Sequence, residues 1–349
     1  MMRITVIGAG GIGGVVGGCL ARAGLDVELI DIEKTHIDKI KKDGLKVLST
    51  DGDWIAHPKA YTVEEFLAVN DEKLDCVVLA VKAPATKSAL TPFLPFFGGD
   101  TFLIPLQNGF ISDVIAEMIG KERTLTAFVN IFADYMEPGV VNYGGKGALV
   151  IGELTGEITP RLEKIRKLWS KGIEQIRIDS NVRGYLWAKA GYSAILRATT
   201  LTNETIADVV DNRRYREMLM DLASEPLELA VKEGIRPEGF DEWDPKDAYP
   251  RENRDPEAMN RHLDEHVQRL RTYTKVHSGV WRDIAVRGRK IEVHAGSDEL
   301  VEKGKKYGLT FPLYTLLYEL LFQLEAGQIP FSTEHLEVLL KKDMEIYHS

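Results

Sequence analysis

The sequence predicts an α/β protein in two parts: a doubly wound parallel sheet over residues 1–179, then an all-helical domain over residues 180–349. Three observations lead there. Short β-branched runs alternate with helical patterns through the first half, the signature of parallel βαβ crossovers. Beyond residue 180 helical periodicity takes over. The 349 residues also exceed what one hydrophobic core ordinarily organises.

In chain order, strands are expected at 3–7, 26–30, 76–81, 102–105, 124–131 and 148–151, with a late one at 174–178. Helical patterns lie at 12–23, 34–42, 84–93 and 111–119. The stretch 140–152, rich in Gly and β-branched residues, reads as extra antiparallel strands after the parallel core. Asp179-Ser180 marks the boundary and can cap the next helix. Helices then follow at 181–201, 204–210, 212–233, 256–286, 297–306, 312–326 and 333–346. Residues 236–256, polar and carrying four prolines, read as an insertion or a lid. The stripe Leu313, Leu316, Leu317, Leu320, Leu321 and Leu324 has helical spacing and suits core or a dimer face.

Composition narrows the class. Hydrophobic residues make up 44% and charged residues 28%, the balance of a folded globular chain. A net charge of −9 argues against a nucleic-acid-binding surface. No apolar run reaches the roughly 18 residues of a membrane span. The N-terminus enters an apolar strand without a cationic leader, and Cys19 and Cys76 both sit in apolar stretches. A cytoplasmic protein with buried thiols is expected.

Gly8-Ala9-Gly10-Gly11-Ile12-Gly13 follows the first strand and opens a helix. In G-x-G-x-x-G, Gly8 permits the tight turn, Gly10 lets backbone approach a pyrophosphate, and Gly13 lets helix and strand pack closely. The helix N-terminus, with Gly11 and Ile12, supplies N–H groups and a positive dipole end for phosphate. Gly14, Gly17 and Gly18 extend the close packing. These features point to a Rossmann-type dinucleotide-binding domain. Asp31, at the end of the second strand, suits the adenosine ribose hydroxyls and repels a 2′-phosphate, which favours NAD over NADP. Lys34 lies near enough to accommodate a phosphate, so NADP stays open.

Four further segments together resemble the ketopantoate reductase family: Leu79-Ala80-Val81-Lys82-Ala83, the turn Leu106-Gln107-Asn108-Gly109, Trp187-Ala188-Lys189, and Ser278–Ile284 followed by Lys290–Val293. Gly308-Leu309-Thr310-Phe311-Pro312 resembles the turn before that family's last helices. The resemblance implies reduction of a 2-oxo acid by NAD(P)H, ketopantoate being the leading substrate, in a cleft between the domains of a homodimeric enzyme. It implies Lys189 as the general acid and Glu292 as the group that binds the substrate hydroxyl and orients the lysine. Asn108 would contact nicotinamide and substrate, Lys82 would line the cofactor cleft, and Ser278 would bind substrate. Ser193 and Arg197 stand where the family usually carries asparagines, and Gly279 replaces the second serine of its S-S pair. Those replacements fall on the residues expected to recognise the substrate. An opine-type or other 2-oxo acid dehydrogenase, or an NAD-binding sensor without catalysis, are the alternatives.

The residues themselves support the lysine. Between Gly184 and Asn203 the only charged side chains are Lys189 and Arg197. Lys189, Ser193 and Arg197 fall at i, i+4 and i+8, one polar stripe on an apolar helix. Partial desolvation makes a lysine a better proton donor near neutral pH. The alternative is that Lys189 reaches out to solvent and Arg197 makes a structural salt bridge. Arg197 can also pair bidentately with a carboxylate, which points to a more acidic substrate. His277 and His294 flank the motif segments as further acid/base candidates. His262-Leu263-Asp264-Glu265-His266 matches H-x-x-E-H, a zinc-peptidase spacing, but its surroundings are charged on nearly every face and no obvious third ligand presents itself. No metal is expected.

Overall fold

In the computed structural model, which describes residues 2–273, 276–288 and 294–348 (294–299 without their side chains), the chain divides into two units, Met1–Arg183 and Gly184–Ser349. The division falls two residues into a helix, slightly beyond the expected Asp179-Ser180. No helix among the described residues is long and apolar enough to cross a membrane.

The first unit contains twelve strands among its described residues: β1 (Ile4–Ile7), β2 (Val27–Asp31), β3 (Leu45–Ser49), β4 (Trp54–Ala56), β5 (Lys59–Thr62), β6 (Leu74–Leu79), β7 (Phe97–Pro105), β8 (Leu125–Val129), β9 (Phe132–Glu137), β10 (Val140–Gly145), β11 (Leu149–Glu153) and β12 (Ile176–Ile178). Five of them form a parallel sheet in the order β5-β2-β1-β6-β7. Its helices include α1 (Gly11–Arg22), α2 (Lys34–Asp43), α3 (Val63–Val69), α4 (Thr86–Leu90), α5 (Ser112–Ile119) and α6 (Pro160–Trp169). The strand order reverses beside β1, where doubly wound sheets open a crevice for ligands.

Three expectations are corrected. The strand at 124–131 does not extend the parallel sheet; β8 pairs antiparallel with β11, one of the strands expected in 140–152, in a separate sheet with β12. Within 140–152, β10 is antiparallel to β9 but parallel to β3. The parallel edge strand β5, the hairpin β3–β4, and helices α3 and α6 are additional elements. The spacing of Leu162, Ile165 and Trp169, all buried, already carried the signal for α6.

A four-stranded sheet, β4-β3-β10-β9, covers α1 on the side away from the parallel sheet. Close approach on both sides needs glycine on both faces. A Cβ at Gly17 would lie 2.5 Å from Leu29 Cδ2, and one at Gly14 would lie 2.9 Å from Val141 Cγ1. The core around it contains Ile4, Val6, Val15, Val16, Leu20 and Leu29. Cys19 and Cys76 are buried free thiols, and burial pushes Cys19 up to about 11.

The second unit is helical as expected: α7 (Val182–Ala198), α8 (Ile206–Asp211), α9 (Arg213–Lys232), α10 (Pro256–Leu270), α11 (Gly279–Ala285), α12 (His294–Lys305), α13 (Pro312–Glu325) and α14 (Glu334–Tyr347). The single helix expected over 256–286 is two helices; Ser278 caps the second by accepting from Trp281 N–H at 3.0 Å. Most of the leucine stripe on α13 is buried within this unit, which makes it core.

Residues 236–256 are anchored to the unit. Phe240 and Trp243 are buried, Trp243 Nε1 donates to the Ala188 carbonyl at 3.0 Å, and Glu238 N–H donates to the Gly184 carbonyl at 3.1 Å. That geometry describes a packed insertion on α7.

Glu225 of α9 ties the unit together. Its carboxylate accepts from Leu313 N–H (3.0 Å), Tyr314 N–H (2.8 Å) and Tyr347 Oη (2.8 Å), so it caps α13 and holds α14. Glu225→Ala leaves two buried N–H groups without their acceptor. Urea unfolding at pH 7 should show a loss of about 2–4 kcal/mol. Burial pushes this carboxyl up from the ordinary 4.5 to about 7. The part of its contribution that depends on a protonated carboxyl is therefore fully present below about 4.5 and lost as pH rises through about 7, while the acceptor bonds remain. Glu225→Gln should flatten the fall in melting temperature across that window, and an unchanged pH profile would refute this assignment.

Candidate active site

Ile7, Ile30, Leu79 and Pro105 stand in register at the C-terminal ends of four neighbouring parallel strands. The residues that follow them are the glycine turn, Asp31, the Lys82 segment and the Gln107-Asn108-Gly109 turn. The sheet thus carries the sequence-predicted cofactor residues along one edge, the edge at which open α/β sheets bind ligands.

Packing explains the outer two glycines of the fingerprint. Gly8 has a φ of +98°. A Cβ on Gly13 would lie 1.9 Å from the Gly8 carbonyl oxygen and 2.9 Å from Ala80 Cβ. Gly10 is different: its φ is −68°, and a Cβ there would meet nothing within 4 Å. Nothing in the chain's own packing requires glycine at that position. Its bare backbone leaves the start of α1 open, and no side chain caps that helix. The arrangement fits the pyrophosphate of a dinucleotide set against a helix N-terminus.

Asp31 accepts from Ala9 N–H at 2.8 Å through one oxygen and from Glu33 N–H at 3.0 Å through the other. It therefore ties the end of β2 to the glycine turn. His36 is a residue the sequence reasoning did not single out. Its Nδ1 accepts from Gly139 N–H at 2.9 Å, so the proton sits on Nε2, which donates to the Ala9 carbonyl at 3.0 Å. Histidine at this point of α2 clamps the glycine turn to the β9–β10 hairpin. A lone histidine in a charged helix gave no sequence signal for that.

Gln107 is buried and donates to the Val81 carbonyl (2.9 Å) and to Thr86 Oγ1 (2.8 Å), which joins the Asn108 turn to the Lys82 segment. Gly109 turns the chain with a φ of +88°. The side chains of Lys82 and Asn108 are exposed.

In the second unit, Lys189, Ser193 and Arg197 are each half-buried, while Trp187, Ala188, Ala194, Ile195 and Ala198 are buried. The expected polar stripe exists. The Arg197 guanidinium lies over the Tyr318 ring, 5.6 Å from its centroid. Ser278 is buried, and its hydroxyl shares a 2.7 Å hydrogen bond with Thr200 Oγ1 besides capping α11. His277 is half-buried and stacks on Trp281, with ring centroids 4.0 Å apart. Glu292 lies outside the described residues, as does the side chain of His294.

The H-x-x-E-H pair is structural. His262 Nδ1 meets Asp247 at 2.9 Å, whereas His266 Nε2 meets Tyr192 Oη at 2.8 Å, so the two rings serve different partners. Burial lowers His266 to about 4. Asp221, Asp343 and His348 also bring ligand-type atoms within 4.8 Å of one another. Asp221 already accepts from Arg251 Nε (3.1 Å) and Arg254 (2.9 Å), so this group is an ion-pair network.

Residues 4–156 match the ketopantoate reductase PanE/ApbA domain, and residues 181–325 match its C-terminal domain. The 2-dehydropantoate 2-reductase of Pyrococcus abyssi is 29% identical over 327 residues, covering 93% of this chain and 98% of its own. Among solved structures, a PanE/ApbA family ketopantoate reductase from Ralstonia eutropha superposes with a TM-score of 0.74 at 24% identity, over 94% of this chain and 99% of that one. A D-mandelate dehydrogenase with NADH and anilino(oxo)acetate superposes with a TM-score of 0.76 at 21% identity, over 93% and 99%. Two domain matches in the expected order, on a chain that carries the glycine turn in one unit and the lysine stripe in the other, establish that it belongs to the ketopantoate reductase family of oxidoreductases.

Proposed function

We propose that this chain reduces a 2-oxo acid to the 2-hydroxy acid with a nicotinamide cofactor, ketopantoate being the candidate that family membership names. The observation that carries the reading is Lys189, half-buried on a helix whose other faces are committed to packing. An ammonium held there is suited to protonating a carbonyl oxygen.

The reduced nicotinamide, when bound, supplies the hydride to C2. Lys189 Nζ gives a proton to the carbonyl oxygen, so C=O becomes CH–OH and the lysine is left neutral. Glu292 orients that lysine and accepts from the new hydroxyl, while Asn108 aligns the reactants. Ser193 and Ser278 serve the substrate, Lys82 lines the cofactor side, and backbone from Gly8 to Gly13 meets the pyrophosphate. Asp31 accepts from the adenosine ribose hydroxyls, which supports NAD over NADP. The D-mandelate dehydrogenase neighbour shares this fold, so the substrate is sought across the 2-oxo acids and not in ketopantoate alone. A cytoplasmic location agrees with two buried free thiols.

Turnover of NADH and NADPH against ketopantoate and a panel of branched, aromatic and dicarboxylic 2-oxo acids tests the reading; silence throughout would favour a sensor. Lys189→Ala should cut kcat about 100-fold or more with NADH affinity kept, and equal activity would remove the proton-donor role. Gly10→Val should abolish NADH binding without lowering the melting temperature, because the added side chain enters open space. Asp31→Asn keeps an oxygen for Ala9 N–H but drops the charge. The NADH-over-NADPH affinity ratio should fall severalfold, and an unaltered ratio would undo the cofactor preference.

A further inference from the structure

Several buried or half-buried arginines in the second unit have well-defined partners. Arg216, 1% exposed, donates to the Val210 and Asn260 carbonyls, to Asn260 Oδ1 and to Asp264. Arg251 and Arg254 converge on Asp221. Arg197 departs from this pattern. It is half-buried, yet among the described residues it has neither a hydrogen bond nor an ion pair; its contact is the face of Tyr318. A partly desolvated cation ordinarily finds a carboxylate. The cation–π contact uses no N–H acceptor, so among the described residues the guanidinium's N–H groups are left without a polar partner, and such a planar fork can take a carboxylate bidentately.

Tyr318 is a fixed platform. It is buried, its hydroxyl hydrogen-bonds Tyr314 Oη at 2.9 Å, and its ring meets Phe322 edge-on at 5.9 Å. Ser193, the residue between Lys189 and Arg197 on the stripe, also has no polar partner among the described residues.

Spacing indicates which carboxylate. Eight residues of helical rise set Arg197 about 12 Å beyond Lys189, and both side chains lean toward the helix N-terminus, so the offset between their heads stays about 12 Å. A hydrogen bond of about 2.9 Å at each end leaves about 6 Å between the carbonyl oxygen and the acceptor at Arg197. The C1 carboxylate of a 2-oxo acid is too close to C2 to span that. A second carboxylate, two or three methylenes beyond C2, fits.

Resting on the 2-oxo acid reading above, we propose that Arg197 on its Tyr318 platform is a distal carboxylate subsite, and that the preferred substrates are 2-oxo dicarboxylic acids with two or three methylenes between ketone and distal acid. Ketopantoate carries a hydroxyl at its far end and leaves this subsite unfilled.

The test compares 2-oxoadipate with 2-oxohexanoate, equal in chain length but lacking the distal charge, by kcat/KM with NADH and by calorimetric binding in the presence of NAD+. The parent protein should favour the dicarboxylate at least tenfold in both measurements. Arg197→Met should bring the ratio to about one while changing 2-oxohexanoate less than about twofold. Arg197→Lys should restore only part of it, and Tyr318→Phe, which keeps the ring, should retain it. No preference in the parent, or equal losses for both acids in Arg197→Met, would overturn the subsite and leave the reductase reading standing. Preferential binding without turnover of either acid would sink the reductase reading and leave the subsite.

Discussion

Helix α1 lies between two sheets, and its approach to both is a steric constraint on which the nucleotide-binding unit depends. An ordinary helix keeps its distance from a sheet because side chains fill the gap. Here Gly13 and Gly17 remove them on the side of the parallel sheet, and Gly14 and Gly18 on the side of the second sheet. The helix start is thereby fixed against the ends of β1 and β6, where Ala80 is also small enough to fit. Asp31 and His36 then hold the turn from opposite directions, one through Ala9 N–H and the other through the Ala9 carbonyl. The pyrophosphate role proposed for this turn needs that rigidity, because N–H groups can be aimed only by fixing the chain that carries them.

The helical unit uses a different device. Buried polar side chains close its helix ends and cross-link its layers: Glu225 at the start of α13, Asp221 with two arginines, Arg216 with Asn260 and Asp264. The insertion at 236–256 adds donors to the Gly184 and Ala188 carbonyls of α7. Gly191 permits α7 to lie close to α9, since a Cβ there would sit 3.0 Å from the Ala223 carbonyl oxygen. With these faces committed, the strip from Lys189 to Arg197 is left half-buried, the setting in which an ammonium or guanidinium carries most chemical consequence.

Much of this was legible in one dimension. The alternation of β-branched runs and helical patterns, the fingerprint after the first strand, Asp31 at the end of the second, and the i, i+4, i+8 stripe are local patterns. Local patterns survive translation into structure because backbone geometry has fixed periods. The strands that were missed are short or paired at long range. β5 is four residues with one partner strand, and β3 finds β10 across nearly a hundred residues. No window of sequence holds such a pairing.

The sequence by itself determined the fold class of each half, the glycine turn that a dinucleotide requires, and the lysine on an apolar helix. Tertiary structure alone decided the rest. Gly10 stands apart from its neighbours because only packing shows that the chain does not need it. His36 became a clamp because β9–β10 returns to α2. Tyr318 met Arg197 from a helix 121 positions along the chain. Sequence patterns report what a residue does to its own element; which side chains meet between elements is set by packing, whose partners are far apart in the chain.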